Sequence, residues 1–377
     1  MIAQPVNGET VKSKSISPRI IFAGGGTGGH IYPALAMADA VKKFNPDSRI
    51  DFVGTPSGLE SKLVPRAGYP LHFITVGRLH RSVGVFERIK TLIMMPLAMI
   101  KSFYLIFKLR PTAVVGVGGY ASGPIVLAAA LMRIRTFIWE PNAYPGLANR
   151  ILAQFVDHCL VVFNEAAGIL KNKNVTRVHM PVRREIEELT PNVIAGNELH
   201  LLVFGGSQGS RALNNVLLES VKIGGEWLHD VKIVHQAGAL DFARLKNDYA
   251  AIAGIRDFLE VHEYLHDMPS RLKWADVVVA RSGTGTISEL AACAKAAILV
   301  PLPTAADDHQ TKNAQALVKM NAAIMIPQRE FTAERLMNEI SEIKNHREKL
   351  RELAHNVQSF YRKQAADEIA KLLLADA

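Results

Sequence analysis

Short apolar runs alternate with helix-length segments along most of the chain, and this alternation limits the possible folds more than any other feature. The first run, residues 19–23, is followed by a glycine-rich turn and by an apolar-periodic helix over 33–44. Further strands are predicted at 51–53, 71–76, 113–117, 136–139 and 159–163. Such alternation is typical of a parallel, doubly wound sheet with helices on both faces. The sequence therefore predicts an α/β fold.

The second half repeats this plan after a polar segment interrupted by Pro191 and Gly196. Strands are predicted at 199–204, 231–235, 277–280 and 297–300, and helices at 212–223, 285–292 and 310–320. A chain of 377 residues exceeds the usual size of one hydrophobic core, so two similar domains facing a cleft are expected. The predicted division is a flexible tail (1–18), a first domain (19–183), a linker (184–198), a second domain (199–345) and C-terminal helices (346–377).

Composition indicates the cellular compartment and the kind of partner. Cys159 and Cys293 both lie in apolar stretches and are predicted to be buried and unbridged, as in a reducing compartment. The first 17 residues are polar and lack the apolar core of a signal peptide, which favours the cytoplasm. The formal net charge of +9 favours an anionic partner. No basic run with interleaved aromatic residues is present, so phosphates and lipid are favoured over nucleic acid.

The first glycine-rich loop, GGGTGGH at 24–30, matches the dinucleotide-binding fingerprint by letter. A nicotinamide enzyme normally has an acidic residue at the end of the second strand, where this chain has Gly54 and Thr55. The glycines instead leave backbone N–H groups at a helix N-terminus free to meet a diphosphate. His30 ends the loop, and it is either a base near neutral pH or a side chain that lines the turn.

Further polar loops follow other predicted strands. They are GGYASGP at 118–124, GGSQGS at 205–210, RSGTGT at 281–286 and DDHQTKN at 307–313. The carboxyl ends of parallel strands meet at one edge of a sheet, so these loops are expected to converge there unless they are simple turns. Glu289 either accepts the hydroxyls of a ribose or faces solvent. Asp307, Asp308 and His309 are adjacent, a spacing that favours sugar binding or helix capping over a metal site.

The segment 86–107 is unusually apolar and is flanked by cations. These are Arg78, Arg81, Arg88, Lys90, Lys101, Lys108 and Arg110. Pro96 and Lys101 are predicted to divide the segment into pieces too short to span the ~30 Å of a bilayer core. It is expected to lie in the interface of an anionic membrane, with two ordinary core helices as the alternative.

Seven motifs together resemble one family. They are GGGTGGH at 24–30, GGYASGP at 118–124, EPNAYPGLAN at 140–149, PVR at 181–183, GGSQGS at 205–210, RSGTGTISE at 281–289 and DDHQTKNA at 307–314. In this order they are similar to the MurG family of glycosyltransferase family 28, the inverting enzymes that add N-acetylglucosamine to lipid-linked muramoyl-pentapeptide in peptidoglycan synthesis. The similarity extends from residue 19 to residue 374.

The resemblance implies a GT-B architecture, with two Rossmann-like domains of which the first holds the acceptor and the second the UDP-sugar. It implies that UDP-N-acetylglucosamine contacts Thr27, Gly28, Gly29, Asn142, Arg183, Ser207, Leu265, Ser282, Gly283, Thr284, Gly285, Thr286, Glu289 and Gln310. It implies that the acceptor contacts Gly26, His30, Tyr120 and Ser122. His30 is the expected base, with Glu140 as the alternative. No cofactor, metal or nucleic acid is expected.

The expected location is the cytoplasmic face of the cell membrane, where a peripheral enzyme would meet anionic lipid and other cell-wall synthesis proteins. Pro141 and Met180 depart from the glutamine and asparagine that are usual in the family. Proline lacks the side-chain amide and the backbone N–H, so the contacts of residues 140–142 are in question. Two alternatives remain: another GT-B enzyme, such as a glycolipid glycosyltransferase or UDP-sugar epimerase, and a non-catalytic nucleotide-sugar-binding membrane scaffold.

Overall fold

The computed structural model describes the backbone of residues 17–77, 85–119, 121–189 and 196–375, and the side chains of these residues except 85–93. Several residues named in the predictions from the sequence lie outside these ranges. Outside the described residues lie Tyr120, Arg78, Arg81, the side chains of Arg88 and Lys90, the tail through residue 16 and the linker residues 190–195.

The first domain contains one parallel sheet. Its strands are β1 Arg19–Gly24, β2 Arg49–Gly54, β3 Leu71–Phe73, β4 Ala113–Gly118, β5 Arg135–Glu140, β6 His158–Val161 and β7 Val175–Arg177. Within the described residues their order is β3-β2-β1-β4-β5-β6-β7. Every residue of β4 is buried, because helices cover both faces of the sheet. The six predicted strands are confirmed, whereas β7, a short strand that is only partly buried, was not predicted.

The second domain has the same construction. Its strands are β8 Leu199–Phe204, β9 Val231–Gln236, β10 Leu259–His262, β11 Val277–Ala280, β12 Ala296–Leu299 and β13 Ile324–Met325. They pair in parallel in the order β10-β9-β8-β11-β12-β13. The four predicted strands are confirmed. β10 and β13 were not predicted, because an edge strand of two to four residues has too little apolar sequence to give a periodic signal.

Helices connect these strands. In the first domain and the linker they are α1 Gly28–Phe44, α2 Glu60–Arg66, α3 Val85–Leu109, α4 Ser122–Leu131, α5 Leu147–Leu152, α6 Asn164–Ala167 and α7 Arg184–Glu187. In the second they are α8 Arg211–Ile223, α9 Phe242–Ala250, α10 Met268–Trp274, α11 Thr284–Ala292, α12 His309–Lys319, α13 Ala333–Asn345, α14 Arg347–Val357 and α15 Ala365–Leu374. Short 3₁₀ turns lie at Glu226–Leu228, Ile255–Asp257, Ala306–Asp308, Gln328–Glu330 and Gln358–Phe360.

Two helices differ from the prediction. α1 begins at Gly28 rather than at Pro33, so the glycines and His30 form its first turn. α3 is continuous through Pro96, and the prediction that Pro96 and Lys101 would divide this segment is wrong. Among the described residues, no helix combines the length and apolarity needed to cross a bilayer. Cys159 and Cys293 are buried and unbridged, as predicted.

The chain ends by returning to the first domain. Ile369 and Leu373 of α15 are fully buried in the same cluster as Met37 and Val41 of α1. Lys43 forms an ion pair with Asp367, and the Phe163 and Phe360 rings lie 5.5 Å apart between centroids. The last helix therefore ties the two domains together.

Replacing Ile369 with alanine should destabilise the protein by about 2–5 kcal/mol, because it leaves a cavity where α15 meets α1. The urea-induced unfolding midpoint, followed by circular dichroism, measures this loss. Val318→Ala is the matched control, since the Val318 side chain is 43% exposed. Equal midpoints for the two variants would contradict the packing role of α15.

Candidate active site

Glycine-bearing loops follow β1, β4, β8 and β11 and meet at the carboxyl edges of the two sheets. The first two loops are in direct contact, because the Gly25 N–H donates to the Gly118 carbonyl at 3.1 Å. A Cβ on Gly119, whose φ is +81°, would lie 2.5 Å from the Gly25 carbonyl oxygen, so this approach requires glycine. Gly26, Thr27 and Gly29 remain exposed. The first loop therefore presents its backbone to the cleft.

The buried carboxylate of Glu60, which was not predicted from the sequence, supports this first loop. Glu60, 1% exposed, accepts hydrogen bonds from the Gly26 N–H at 2.7 Å and from the Thr55 N–H and hydroxyl at 2.8 Å. Burial alone would raise the pKa of the Glu60 carboxyl, but these bonds hold the pKa below its usual value. Glu60 is therefore ionised at neutral pH. Its position in a short polar helix gave no sequence signal for this role.

His30 lies in the first turn of α1, partly exposed at the cleft. Its Nδ1 is 3.2 Å from the Gly25 carbonyl oxygen and 3.4 Å from the Thr27 hydroxyl oxygen. A carbonyl only accepts, so the shorter contact requires the proton on Nδ1 and leaves the Nε2 lone pair free. Burial lowers the pKa of His30, and nearby His309 lowers it further. The imidazole is therefore neutral at pH 7 and can accept a proton.

Glu140 occupies a different position from the one expected of a base. It is 2% exposed, and both carboxylate oxygens accept hydrogen bonds from the following loop. The donors are the N–H and side-chain amide of Asn142, the N–H of Gly146 and the amide of Asn149. Burial raises the pKa of Glu140, against the effect of these bonds. The arrangement supports a role in shaping the loop 140–149 and argues against Glu140 as the base.

Asn142 joins the two domains at the cleft. Its Oδ1 accepts from the Thr284 hydroxyl at 2.9 Å and from the Asn313 amide at 3.2 Å. Asn313 is fully buried, and its own Oδ1 accepts the Ala143 N–H at 2.8 Å. Asn313 belongs to the 307–313 motif, and the sequence predicts no role for it. Together these amides link β5 of the first domain to α11 and α12 of the second.

The two departures from the usual family residues leave this junction intact. Pro141 is buried, and the Asn142 N–H next to it still bonds to Glu140 at 2.9 Å. Met180 is 4% exposed, and its Cε lies 3.9 Å from the point where Gly285 would carry a Cβ. Met180 therefore adds apolar packing against the second domain, while Pro141 leaves the hydrogen bonds of its loop in place.

Several predicted donor contacts lie on the second domain or at its boundary with the first. Arg183 Nε donates to Glu289 at 2.9 Å, and the Glu289 side chain is 23% exposed. Burial raises the pKa of Glu289, while Arg183 opposes the shift. Ser207 is exposed in its loop. Gln310 accepts the Leu302 N–H through its amide oxygen, which leaves the amide nitrogen as its donor toward a ligand.

The first turn of α11 precedes Glu289 in the same helix. It contains Thr284, Gly285 and Thr286, with Gly283 as the N-cap. The first N–H groups of a helix have no partner within the helix, and its dipole favours an anion there. The predicted loop 281–286 therefore offers a phosphate site.

Three residues with predicted contacts have hydrogen-bond partners inside the protein. Ser122 is fully buried and its hydroxyl donates to the Gly119 carbonyl, so it shapes the loop and is not presented to an acceptor. The Ser282 hydroxyl is likewise buried and donates to the Gln310 carbonyl. The Leu265 N–H donates to the Gln236 side chain at 3.0 Å, so the predicted backbone contact of Leu265 to the donor would use its carbonyl. Local sequence does not reveal such internal partners.

Arg281 is the first residue of the 281–289 motif, and the sequence predicts no role for it. Its guanidinium is buried and donates to the Val300 and Pro301 carbonyls, the Ser210 hydroxyl and the Gln328 amide oxygen. All four acceptors are uncharged, and burial lowers the pKa of Arg281 to about 10. Arg281 therefore places a positive charge behind the loops that follow β8 and β11.

The acidic pair at 307–308 serves other contacts. Asp307 lies 3.6 Å from Arg150 across the cleft, and Asp308 accepts the Thr311 hydroxyl at 2.6 Å at the start of α12. Across the part of the chain that the structure describes, no group of three His, Cys, Asp or Glu side chains could hold a metal ion.

The chain is similar to known proteins over both of its domains. Residues 20–161 match the glycosyltransferase family 28 N-terminal domain, and residues 200–371 match the glycosyltransferase family 28 C-terminal domain. The UDP-N-acetylglucosamine–N-acetylmuramyl-(pentapeptide) pyrophosphoryl-undecaprenol N-acetylglucosamine transferase of Bdellovibrio bacteriovorus is 46% identical over 96% of this chain and 99% of its own. The enzyme of the same name from Anaeromyxobacter sp. (strain Fw109-5) is 42% identical over 93% and 92%.

Among solved structures, the MurG crystal structure from Acinetobacter baumannii superposes with a TM-score of 0.78 at 27% identity. It covers 95% of this chain and 99% of that one.

Replacing Asn313 with alanine should leave the Ala143 N–H buried without an acceptor and cost about 1–3 kcal/mol. Thermal unfolding followed by calorimetry should show a lower midpoint than for the exposed-site control Asn345→Ala. If Asn313→Ala unfolds at the wild-type temperature, the amide junction does not hold the domains together.

Proposed function

This chain belongs to glycosyltransferase family 28, and from that premise we propose that it transfers N-acetylglucosamine from UDP-N-acetylglucosamine to undecaprenyl-diphospho-muramoyl-pentapeptide. The acceptor is the C4 hydroxyl of the muramoyl sugar, and the product serves peptidoglycan synthesis. The observation that carries the proposal is the cleft between the domains: the neutral His30 of the first lies near His309 of the second, and Asn142 of the first bonds to Thr284 in the first turn of α11.

The reaction is a single displacement with inversion. The C4 hydroxyl oxygen attacks the anomeric carbon, and the bond from that carbon to the diphosphate oxygen breaks with its electron pair leaving on UDP. The hydroxyl proton passes to Nε2 of His30, whose Nδ1 proton is held by the Gly25 carbonyl. A base whose pKa lies near or below neutrality remains unprotonated and ready at cellular pH.

The leaving diphosphate is stabilised by groups of the chain itself. The N-terminus of α11, the Ser207 hydroxyl and Arg183 surround its place, and no step depends on a cofactor or a divalent cation. Arg183 is paired with Glu289 when no donor is present. When the ribose hydroxyls bind Glu289 they replace this partner, which frees Arg183 for the phosphates.

Glycolipid glycosyltransferases and UDP-sugar epimerases share this architecture, and product analysis separates them from the proposed enzyme. A transferase releases UDP only when an acceptor is present. An epimerase changes the donor sugar without acceptor, and a binding scaffold releases no UDP.

Replacing His30 with alanine should lower kcat for acceptor-dependent UDP release by about 10²–10⁴-fold, because the base is lost. The assay uses UDP-N-acetylglucosamine with and without a short-chain lipid-linked muramoyl-pentapeptide. His346→Ala, on the exposed surface of the second domain, is the control and should keep the wild-type rate. Wild-type turnover by His30→Ala would exclude His30 as the base.

We further propose that the enzyme binds the membrane peripherally through α3. Leu97, Ile100, Tyr104 and Phe107 recur at helical spacing and are 58–69% exposed, and Phe103 lies next to them. Lys101 and Lys108 lie in the same stretch. An apolar helix face with neighbouring cations suits the interface of an anionic leaflet, such as the cytoplasmic one.

Replacing Ile100 and Phe107 together with serine should reduce binding to vesicles that contain anionic phospholipid by tenfold or more, because burying each side chain contributes about 1.5–3 kcal/mol. Vesicle co-sedimentation measures the bound fraction. Ile223→Ser, at a 59% exposed position on the second domain, is the control. Unchanged sedimentation of the double variant would place the membrane contact elsewhere.

A further inference from the structure

One peptide group connects a buried carboxylate to the imidazole at the cleft. The Gly26 N–H donates to Glu60 Oε2 at 2.7 Å. The carbonyl of the same peptide group, that of Gly25, lies 3.2 Å from His30 Nδ1. The carboxylate and the imidazole therefore bind opposite ends of a single planar unit.

We propose that Glu60 is a positioning residue for His30, and that its carboxylate acts through the Gly25–Gly26 peptide group to hold the imidazole in the tautomer with the proton on Nδ1. The proposal rests on the proposed function, in which His30 is the base. In other enzymes a carboxylate that bonds a catalytic histidine directly holds the imidazole in one tautomer. Glu60 has the same role, with the Gly25–Gly26 peptide group between the carboxylate and the imidazole.

The surroundings fix the carboxylate at the end of the peptide group. Its other oxygen accepts both the N–H and the hydroxyl of Thr55 at 2.8 Å. A Cβ on Gly25, Gly54 or Gly58 would lie within 2.5 Å of a Glu60 side-chain atom, so three glycines leave the space that Glu60 fills. A side chain held this tightly keeps the orientation of the peptide group constant.

The charge of Glu60 is not neutralised by a cation among these contacts. All three of its hydrogen bonds come from uncharged donors. A full negative charge at the N–H end polarises the peptide group, and its carbonyl becomes a stronger acceptor. The Nδ1–H of His30 is thereby preferred over the other tautomer, and Nε2 stays available for the acceptor's proton.

Electrostatics at His30 agree with this arrangement. Burial lowers the pKa of the imidazole most, the hydrogen bond to Gly25 raises it, His309 from α12 lowers it and Glu60 from α2 raises it. Replacing Glu60 with glutamine removes one of the raising effects. The pKa of His30 should therefore fall, and the acidic limb of the kcat/KM profile should move to lower pH.

Glu60→Gln tests the proposal in two backgrounds. In the wild-type background kcat should fall roughly ten- to a hundredfold, less than the ~10⁴-fold cost of losing a carboxylate bonded directly to a catalytic histidine. In the His30→Ala background the same change should have little effect, because residues that act as a unit are not additive. Glu165→Gln, an exposed glutamate of the same domain, is the matched control. An equal loss in both backgrounds would show that Glu60 only supports the loop, and would overturn the proposal.

A second measurement does not depend on turnover, and its first readout, the tautomer of His30, needs no substitution at Glu60. The ring nitrogens of His30 are followed by NMR in ¹⁵N-histidine-labelled protein across a pH titration, and their signals are assigned by their loss in His30→Ala. We expect the Nδ1-protonated tautomer in the wild type and a lower His30 pKa in Glu60→Gln. A wild-type imidazole protonated on Nε2 would overturn the proposal.

The two experiments also separate this proposal from the proposed function. If His30→Ala keeps wild-type transfer while the NMR titration shows the expected tautomer and pKa change, the base has been misassigned and the link between Glu60 and His30 stands. If transfer collapses in His30→Ala but the His30 titration is the same in Glu60→Gln, the base is right and the positioning role is wrong.

Discussion

The parallel direction of the strands is the constraint on which the rest of the structure depends. Each strand in both sheets pairs in parallel with its neighbours, so each ends at the same edge of its sheet and delivers its loop there. Glycines in those loops let backbones approach each other, and the helices that follow begin with unpaired N–H groups. A cleft lined by helix N-termini is the physical result. It suits a substrate that carries a diphosphate.

Two further features turn this cleft into a site with a defined geometry. The amides of Asn142 and Asn313 connect the domains beside the reacting centre, and α15 connects them again by packing on α1. Domains that were joined by a linker alone would move relative to each other by default. These contacts hold the domain that carries His30 against the domain that carries α11, an arrangement that the proposed displacement at the anomeric carbon requires.

Two buried carboxylates of the first domain, Glu60 and Glu140, differ in the groups that they bond. Glu140 and Glu60 are both buried carboxylates with saturated hydrogen bonds, yet burial raises the pKa of Glu140 while hydrogen bonds lower the pKa of Glu60. Glu140 bonds within its own loop. Glu60 bonds to the peptide group that holds His30, so its charge reaches the cleft. Under the proposed mechanism, the position of a carboxylate relative to His30, more than its burial, decides whether it can influence the base.

The sequence by itself determined the parallel α/β fold, most of the strands, the glycine loops and the family, because hydrophobic periodicity and loop motifs are carried by residues close together in the chain. Only the tertiary structure decided which side chains meet. Glu60 and Gly26 are 34 residues apart, Asn313 and Ala143 are 170 apart, and Lys43 and Asp367 are 324 apart. The same holds for the Leu265 N–H and the Gln236 side chain, which are 29 residues apart. Contacts over such separations depend on how whole elements pack, and no local pattern in the sequence records that packing.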